Sequence, residues 1–387
     1  MNFSKVTNFM DRLDSLGIPG ADLAIFQKGK EIYRNQVGFA DCDKKIPVTP
    51  DTLYPIYSMS KVITCVAALR LFEEGHYLLD DPLHEYMPDF KEMTIQHTRE
   101  NGEVILKPAL NPIRIVDLFT MSSGFSYDVP GQQEFMQKTG GNVTLQEMAK
   151  ILAAKPINFE PGTHWCYGFS HDILGALVEV ISGKTLGQFF NDFIFGPLDM
   201  TDTGFKVPKS NHHRIAICYE YDNVNKSYKK ALSPLGYLNY EHPLYLSDDW
   251  VYEMPGGGLI SSVNDYAKFA NTLANNGLAV SKYRLLGEPT INLMTTNHLD
   301  EARVEDYGGT WAHHVAYGYG LGVRTMINPA AGGSPSSFGE YGWSGLAGTH
   351  LLIDPVKDIT YVYAQQTYPS QEVFIAPRLR NTIYACL

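Results

Sequence analysis

The chain has 387 residues, of which 44% are hydrophobic and 19% are charged. This is about two to three times the usual length of a single domain, and the composition is typical of globular proteins rather than disordered or fibrous ones. The net charge of −11 disfavours a nucleic-acid partner, because phosphate binding requires clusters of Lys and Arg.

Cysteine usage and hydropathy indicate the compartment. The five cysteines show no close pairing and no Cys-x-x-Cys spacing, so we expect reduced and mostly buried thiols. No apolar run reaches the roughly 18 residues that a membrane span needs, and residues 1–5 lead into no apolar segment with a small-residue cleavage site. These features predict a cytoplasmic protein without a membrane partner.

The first predicted elements are a helix and a hairpin. Apolar residues from Phe3 to Leu16 recur at steps of three and four, which indicates one face of an amphipathic helix that ends near Gly17. Two apolar runs, 21–27 and 32–37, are joined by a Lys-Gly-Lys turn whose glycine suits a tight hairpin. These runs are the first two predicted strands.

A second helix is predicted after a proline-rich link. Helical periodicity returns from Val62 to Phe72 and ends at Gly75, where a glycine can cap the helix. Ser58 therefore lies at the beginning of this helix.

The middle of the chain contains two segments that differ in composition and periodicity. Residues 80–205 are helix-rich, with Pro and Gly between the helical pieces, and we expect a mainly helical insert there. Residues 206–254 are polar and aromatic with weak periodicity. We interpret them as long loops that wall a pocket.

The C-terminal third is predicted to return to the sheet. A capping box at Ser262 opens a helix that ends near Gly277. Residues 349–353 and 360–365 have strand-like patterns, and residues 377–385 are predicted to form a closing helix. Strands of the sheet are therefore expected from both ends of the chain.

Ser58 and Lys61 form a Ser-x-x-Lys pattern. Side chains three apart on a helix lie on one face within contact distance, and the first turn offers free backbone N–H groups and the positive end of the helix dipole. A plain N-cap serine is the structural alternative at Ser58. The same spacing recurs from Ser227 to Lys230, in a polar stretch that we expect to be a solvated loop.

Short motifs around this pattern carry a resemblance to a known family. They occur in the family's order over nearly the whole chain and are Ile18-Pro19-Gly20, Val37-Gly38-Phe39-Ala40, Pro47-Val48-Thr49-Pro50-Asp51-Thr52, Leu118-Phe119-Thr120-Met121-Ser122-Ser123-Gly124, Glu160-Pro161-Gly162, Gly256-Gly257-Gly258-Leu259 and Asp354-Pro355. The sequence resembles the class C β-lactamase-like serine hydrolases of the penicillin-binding-protein-like superfamily. It is most similar to the family VIII carboxylesterases.

Two further family motifs place aromatic residues at the expected site. Tyr167-Gly168-Phe169 matches the second motif, although Phe169 replaces its usual polar residue. Trp343-Ser344-Gly345 matches the third motif, and the Trp-x-Gly form favours esters over β-lactams. The alternative is that Tyr167 and Trp343 are packing residues.

A literal Lys-Thr-Gly triplet, the β-lactamase form of the third motif, occurs at 138–140. It precedes Tyr167 and lies in a polar, glycine-rich run, so we expect it to be a surface turn.

The resemblance implies an α/β (α+β) fold, with a β-lactamase-like antiparallel sheet flanked by helices and an inserted mainly helical domain. Residues 1–79 and 206–387 are expected to form the sheet domain, and residues 80–205 the helical domain. The active site is expected in the cleft between them.

The resemblance also implies roles at the site. Ser58 is the nucleophile, Lys61 orients it, and Tyr167 is the favoured proton acceptor, although the sequence does not apportion the proton between Lys61 and Tyr167. The backbone N–H groups of Ser58 and Leu346 are expected to bind the oxyanion. The expected substrate-pocket residues are Phe169, Trp343, Ser344 and Gly345.

Metal sites are weaker candidates. The adjacent pairs His212-His213 and His313-His314 cannot both face one metal ion from a helix, and no acidic residue lies at ligand spacing from them. We therefore expect no metal and no cofactor, and chelators are expected to leave activity unchanged.

A cysteine nucleophile is a minor alternative. Cys166 paired with His164 or His171 fits this chemistry, because a thiol near an imidazole can ionise.

The predicted function is hydrolysis of carboxylic esters, with short chains favoured, through an acyl-enzyme on Ser58. The partner is a small-molecule ester, and the oligomeric state is left open. A D-amino-acid peptidase or amidase, or a weak β-lactamase, using the same residues is the alternative. A homologue that only binds a ligand also stays open, because Phe169 departs from the motif.

Overall fold

A large antiparallel sheet organises the fold. The computed structural model describes residues 1–99, 101–128, 142–231, 246 and 251–387. The strands in chain order are β1 (Gly20–Gln27), β2 (Lys30–Asp41), β3 (Ile46–Pro47), β4 (Leu53–Pro55), β5 (Thr94–Thr98), β6 (Val104–Pro108), β7 (Tyr219–Asp222), β8 (Ser227–Lys230), β9 (Ile260–Ser262), β10 (Tyr317–Tyr319), β11 (Arg324–Met326), β12 (Tyr341–Ser344), β13 (His350–Asp354) and β14 (Ile359–Gln365). Eight of them form one sheet in the order β10-β11-β12-β13-β14-β1-β2-β3.

The two ends of the chain meet in the middle of this sheet. β1 pairs with β14, from Ala21 opposite Gln365 to Gln27 opposite Ile359. All seven residues of β14 are buried, because helices cover both faces of the sheet at this point. The prediction that strands come from both ends of the chain is confirmed.

Helices form a layer on each face of the sheet. Their bounds are Ser4–Met10, Ser60–Glu73, Ile115–Phe119, Leu145–Ala153, Ser170–Ser182, Leu186–Phe190, Val263–Ala274, Glu288–Thr295, Glu301–Thr310 and Glu372–Tyr384. On one face, the first and last of these helices pack together over a cluster that includes Leu23 and Leu352. On the other face, Val263–Ala274 packs on β1 and β14.

The helix that follows Ser58 is central to the larger core. Eleven of the 14 residues of Ser60–Glu73 are buried, so this helix is covered on all sides rather than amphipathic. It packs against Ser170–Ser182. The contact brings the segment after Ser58 next to the segment after Tyr167.

The fold class predicted from the sequence is confirmed. Helices at Leu145–Ala153 and Ser170–Ser182 match the helix-rich reading of residues 80–205, although that stretch also contains the β5–β6 hairpin. The division into two domains at residues 79 and 205 stays a prediction. The N-terminal helix ends at Met10, earlier than expected, and a short 3-10 helix continues to Leu16 before Gly17 adopts a left-handed φ of 81°.

The interpretation of residues 206–254 as long loops is wrong in part. Lys209–Arg214 forms a 3-10 helix, and β7 and β8 form a hairpin. Residues 232–245 and 247–250 lie outside the described part of the chain.

The structure describes the state of the cysteines and the length of the apolar helices. All five cysteines are free thiols, as expected, but only Cys65 is fully buried. No single described helix is long and apolar enough to cross a membrane. One pair of helices, Ser170–Ser182 and Leu186–Phe195, is together long and apolar enough for a membrane span, but the two are bent by 78° relative to each other.

Candidate active site

Ser58 lies in a tight turn rather than at a helix cap. A 3-10 helix, Tyr57–Met59, leads into Ser60–Glu73, whose N-cap is Met59 and has no side-chain capping bond. Tyr57 has a φ of 45°, in the left-handed region that is unfavourable for a bulky side chain. Such backbone strain is typical of functional turns. The alternative of a plain N-cap serine therefore does not hold.

Lys61 connects Ser58 to the buried part of the site. Its side chain is fully buried, and its Nζ lies 3.4 Å from Ser58 Oγ, 2.7 Å from Tyr127 Oη and 2.5 Å from the carbonyl oxygen of Gly256. An ammonium group has three N–H donors and no acceptor, so three oxygens around Nζ match a charged lysine. The predicted proximity of Ser58 and Lys61 is found.

Tyr167 meets Lys61 through its ring rather than its hydroxyl. Lys61 Nζ lies 4.7 Å from the centroid of the Tyr167 ring. The Tyr167 hydroxyl accepts a hydrogen bond of 3.2 Å from Trp343 Nε1. The structure therefore brings together the first, second and third motifs, with Trp343 bonded to the predicted proton acceptor.

Sequence reasoning missed Tyr127. Its hydroxyl is the nearer phenol oxygen to Lys61, and its ring packs edge-to-face against Tyr167 at 5.6 Å between centroids. Tyr127 comes three residues after the motif that ends at Gly124, but nothing in its spacing marks it. The site contains two tyrosines on Lys61, where the sequence predicted one.

Asp172 is the second residue that sequence reasoning missed. This carboxyl, on Ser170–Ser182, is fully buried, and burial raises its pKa to about 6, against the opposing effect of the Lys61 charge. Tyr252 donates a hydrogen bond of 3.0 Å to its Oδ1. Asp172 thus provides a buried counter-charge for Lys61.

Gly256 separates these two charges. A Cβ atom there would lie 2.5 Å from Asp172 Oδ2 and 3.2 Å from Lys61 Nζ. Only glycine leaves room for this backbone to approach both groups.

Phe169 and Trp343 both have buried side chains. Phe169 is 1% exposed and packs edge-to-face against Tyr127 at 4.8 Å between centroids. Trp343 is 2% exposed and has its N–H on Tyr167. Both side chains are therefore buried against the tyrosines, and a role in lining the substrate pocket stays a prediction.

The third motif approaches the Ser58 turn through its backbone. Gly345 follows β12, and a Cβ there would collide with the carbonyl oxygen of Ile56 and the hydroxyl of Thr349. Ser344 and Leu346 are partly exposed. Within the described residues, no backbone carbonyl accepts a hydrogen bond from the N–H of Leu346, which is the group predicted to bind the oxyanion.

The other Ser-x-x-Lys sequence is not a site. Ser227 and Lys230 lie on β8, not in a loop as expected, and are both exposed. Residues three apart on a strand point to opposite faces. The triplet at 138–140 lies outside the described residues.

The two histidines considered as partners of Cys166 contact other residues. His164 contacts Asp306, at 3.0 Å, and His171 contacts Cys65, at 3.5 Å from Nε2 to Sγ. Burial raises the pKa of Cys65 well above its usual value and lowers that of His171 to about 3, so this pair does not form a thiolate near neutral pH. Burial also raises the pKa of Cys166.

Known proteins are similar to this chain in sequence or in structure. Protein Rv1367c of Mycobacterium tuberculosis is 30% identical over 369 residues, which cover 92% of this chain and 88% of that protein. Esterase EstB of Burkholderia gladioli is 25% identical over 385 residues, which cover 95% of this chain and 91% of that protein. The structure of "EstCE1, a hydrolase with promiscuous acyltransferase activity" superposes with a TM-score of 0.80 at 23% identity and 98% coverage of both chains.

The family comparison agrees with the motif order and with the sheet. Residues 5–384 match the model of the family described as Beta-lactamase. The chain therefore belongs to the β-lactamase family and has the fold of its serine hydrolases, with esterases among its relatives.

Proposed function

We propose that the protein is a serine esterase that hydrolyses carboxylic esters, with short chains favoured, through an acyl-enzyme on Ser58. The observation that carries this proposal is a buried lysine with its Nζ 3.4 Å from a serine hydroxyl in a strained turn. A serine hydroxyl needs a base to remove its proton and donors for the oxyanion. The site offers candidates for both.

Lys61 acts as the fixed positive charge in this proposal. Its three oxygen neighbours match an ammonium, and Asp172 supplies a buried carboxyl nearby. A charged lysine does not accept the Ser58 proton, but it orients the hydroxyl and stabilises negative charge on a neighbouring phenol.

Tyr167 is the proposed proton acceptor. The N–H of Trp343 points at its hydroxyl oxygen, and such a donor stabilises negative charge on that oxygen. Tyr127, in contact with Lys61, holds the ammonium in position. After acyl transfer, Tyr167 returns the proton to the alcohol and then activates water.

The tetrahedral intermediate requires donors close to Ser58. The backbone N–H groups of Ser58 and Leu346 are the proposed pair, because Gly345 packs against the turn that contains Ser58. Each such donor contributes about 2.7–4 kcal/mol to the transition state.

Esters are the proposed substrates rather than β-lactams. The third motif provides Trp343 where a β-lactamase has a lysine for the substrate carboxylate, and this tryptophan is already bonded to Tyr167. Phe169 provides no polar group for the substrate amide.

The test uses a matched pair of chromogenic substrates, an aryl ester and an anilide of the same short acyl group. An esterase gives the higher kcat/KM on the ester, since an anilide has the poorer leaving group. Equal values on both substrates support the amidase alternative instead. Failure on both, together with no labelling by a serine-directed phosphonate, supports a ligand-binding homologue.

A further inference from the structure

A second group of buried polar side chains lies beside Trp343, outside the residues used above. It surrounds a cavity of about 20 Å³ whose lining includes His313, His314, Arg324, His350, Glu372 and Arg380. A space of this size holds about one water molecule or a small ion.

Three of these residues converge at one side of the cavity. His313 and His314 form a 3-10 turn, and Glu372 is the first residue of the helix Glu372–Tyr384. One ligand atom from each lies within 4.8 Å of the other two. His313 Nε2 is 3.5 Å from Glu372 Oε1.

The imidazole nitrogens of this group are not otherwise used. Within the described part of the chain, neither ring nitrogen of His313 and not Nδ1 of His314 has a hydrogen-bond partner, although these atoms are buried. His314 is 4% exposed. Buried polar atoms without partners are rare, so their presence indicates a ligand that the protein chain itself does not supply.

Arg324 and Arg380 also line the cavity, but the group nearest the two histidines is the Glu372 carboxylate. Arg324 is 3.5 Å from Glu340, whose charge it offsets. Glu372 contacts only a histidine among the ion pairs of the described residues, so its negative charge is available to a cation. An anion next to the histidines would instead face the Glu372 carboxylate.

We propose that His313, His314 and Glu372 bind a divalent transition-metal ion of the zinc class. Two imidazole nitrogens and one carboxylate oxygen are a known zinc donor set. Glu372 and His313 have side chains 22% and 12% exposed, which provides a path for the ion to enter.

The ion joins the turn before β10 to the C-terminal helix, next to the active site. The His314 ring lies 5.2 Å from Trp311 and 6.0 Å from Trp343, measured between centroids, and both tryptophans pack against Tyr167. The site thus braces the aromatic residues that hold Tyr167. This proposal does not depend on the chemistry at Ser58.

Adjacent histidines on an α-helix cannot both face one metal ion, and no acidic residue lies at local spacing from this pair, but the folded chain has a different geometry. The histidines lie instead on a 3-10 turn, and Glu372 comes from a distant helix.

The experiment is a titration of protein freed of metal by EDTA and dialysis, with Co²⁺ followed by visible absorption and Zn²⁺ followed by calorimetry. We expect one equivalent to bind, with the intense visible bands of tetrahedral Co²⁺ and a Zn²⁺-dependent rise in the unfolding temperature. His313→Ala and Glu372→Gln should each weaken binding by about 10–100-fold or more, because loss of even a residue that only supports a metal ligand has an effect of this size.

Matched controls are available in the same chain. His213 belongs to the other adjacent histidine pair on a 3-10 helix, and Glu301 is likewise the first residue of a helix. His213→Ala and Glu301→Gln should leave affinity unchanged. His313→Asn provides a second test if His313→Ala fails to fold.

Three results would overturn the proposal. They are the absence of stoichiometric binding, the same affinity in Glu372→Gln as in wild type, and stabilisation by inorganic phosphate or chloride with none by Zn²⁺. The last result would assign the cavity to an anion held by Arg324 and Arg380.

Discussion

Tyr167→Phe tests the assignment of the proton acceptor. The substitution keeps the ring against Lys61 but removes the oxygen that accepts the Trp343 N–H. A positioned base contributes about 10²–10⁴-fold to the rate, so kcat/KM for a short-chain aryl ester should fall by that factor. The buried N–H of Trp343 loses its partner, which should cost about 1–3 kcal/mol of stability.

Tyr127→Phe is the matched control, because it removes the phenol oxygen that accepts a hydrogen bond from Lys61. The bond from Lys61 Nζ at 2.7 Å is a charged hydrogen bond, worth about 1.5–3 kcal/mol, and its loss corresponds to about 10–100-fold in rate. The assay is the rate of acylation in single-turnover kinetics, well below the unfolding temperature of each variant. A larger loss in Tyr127→Phe, or wild-type acylation in Tyr167→Phe, would refute the assignment of Tyr167 as the base.

Three further predictions follow from the same geometry. The pKa of Asp172 is raised to about 6 in the folded state, so the free energy of unfolding should fall by about 3 kcal/mol as the pH rises from about 4 to 6. In urea denaturation, Asp172→Asn should lack this contribution to the pH dependence of the free energy of unfolding. Gly256→Ala should lower kcat for a short-chain aryl ester, because its Cβ would displace Lys61 or Asp172. An unchanged kcat in steady-state kinetics would contradict this. A short-chain aryl ester should exceed a chromogenic cephalosporin in kcat/KM by about two orders of magnitude or more, and comparable values would contradict our reading of the third motif.

Local pattern was sufficient to predict that the side chains of Ser58 and Lys61 lie close together. Ser58 and Lys61 belong to one helical start, where spacing along the chain determines spacing in the structure. The central sheet was predictable for a related reason, since β1 and β14 are apolar runs with turn residues at their ends.

Long-range contacts account for the residues that were missed. Tyr127 lies 66 positions from Lys61, and the approach of their side chains depends on tertiary packing. Glu372 contacts His313 across a similar separation along the sequence. No local periodicity encodes such contacts.

Motif position also did not determine which way a side chain faces. Phe169 occupies the place of a polar motif residue, but it is the N-cap residue of Ser170–Ser182 and its ring is turned into the core against Tyr127. Trp343 is likewise buried, and its N–H is satisfied by Tyr167. Burial depends on the elements packed above each residue, which the motif does not contain.

The most direct test of the central claim is the intact mass of the protein, quenched during turnover of an activated short-chain ester. We expect a transient mass increase of one acyl group, mapped by peptide analysis to Ser58, present in Ser227→Ala and absent in Ser58→Ala. Turnover at the wild-type rate in Ser58→Ala, or an acyl group mapped to any other residue, would contradict it.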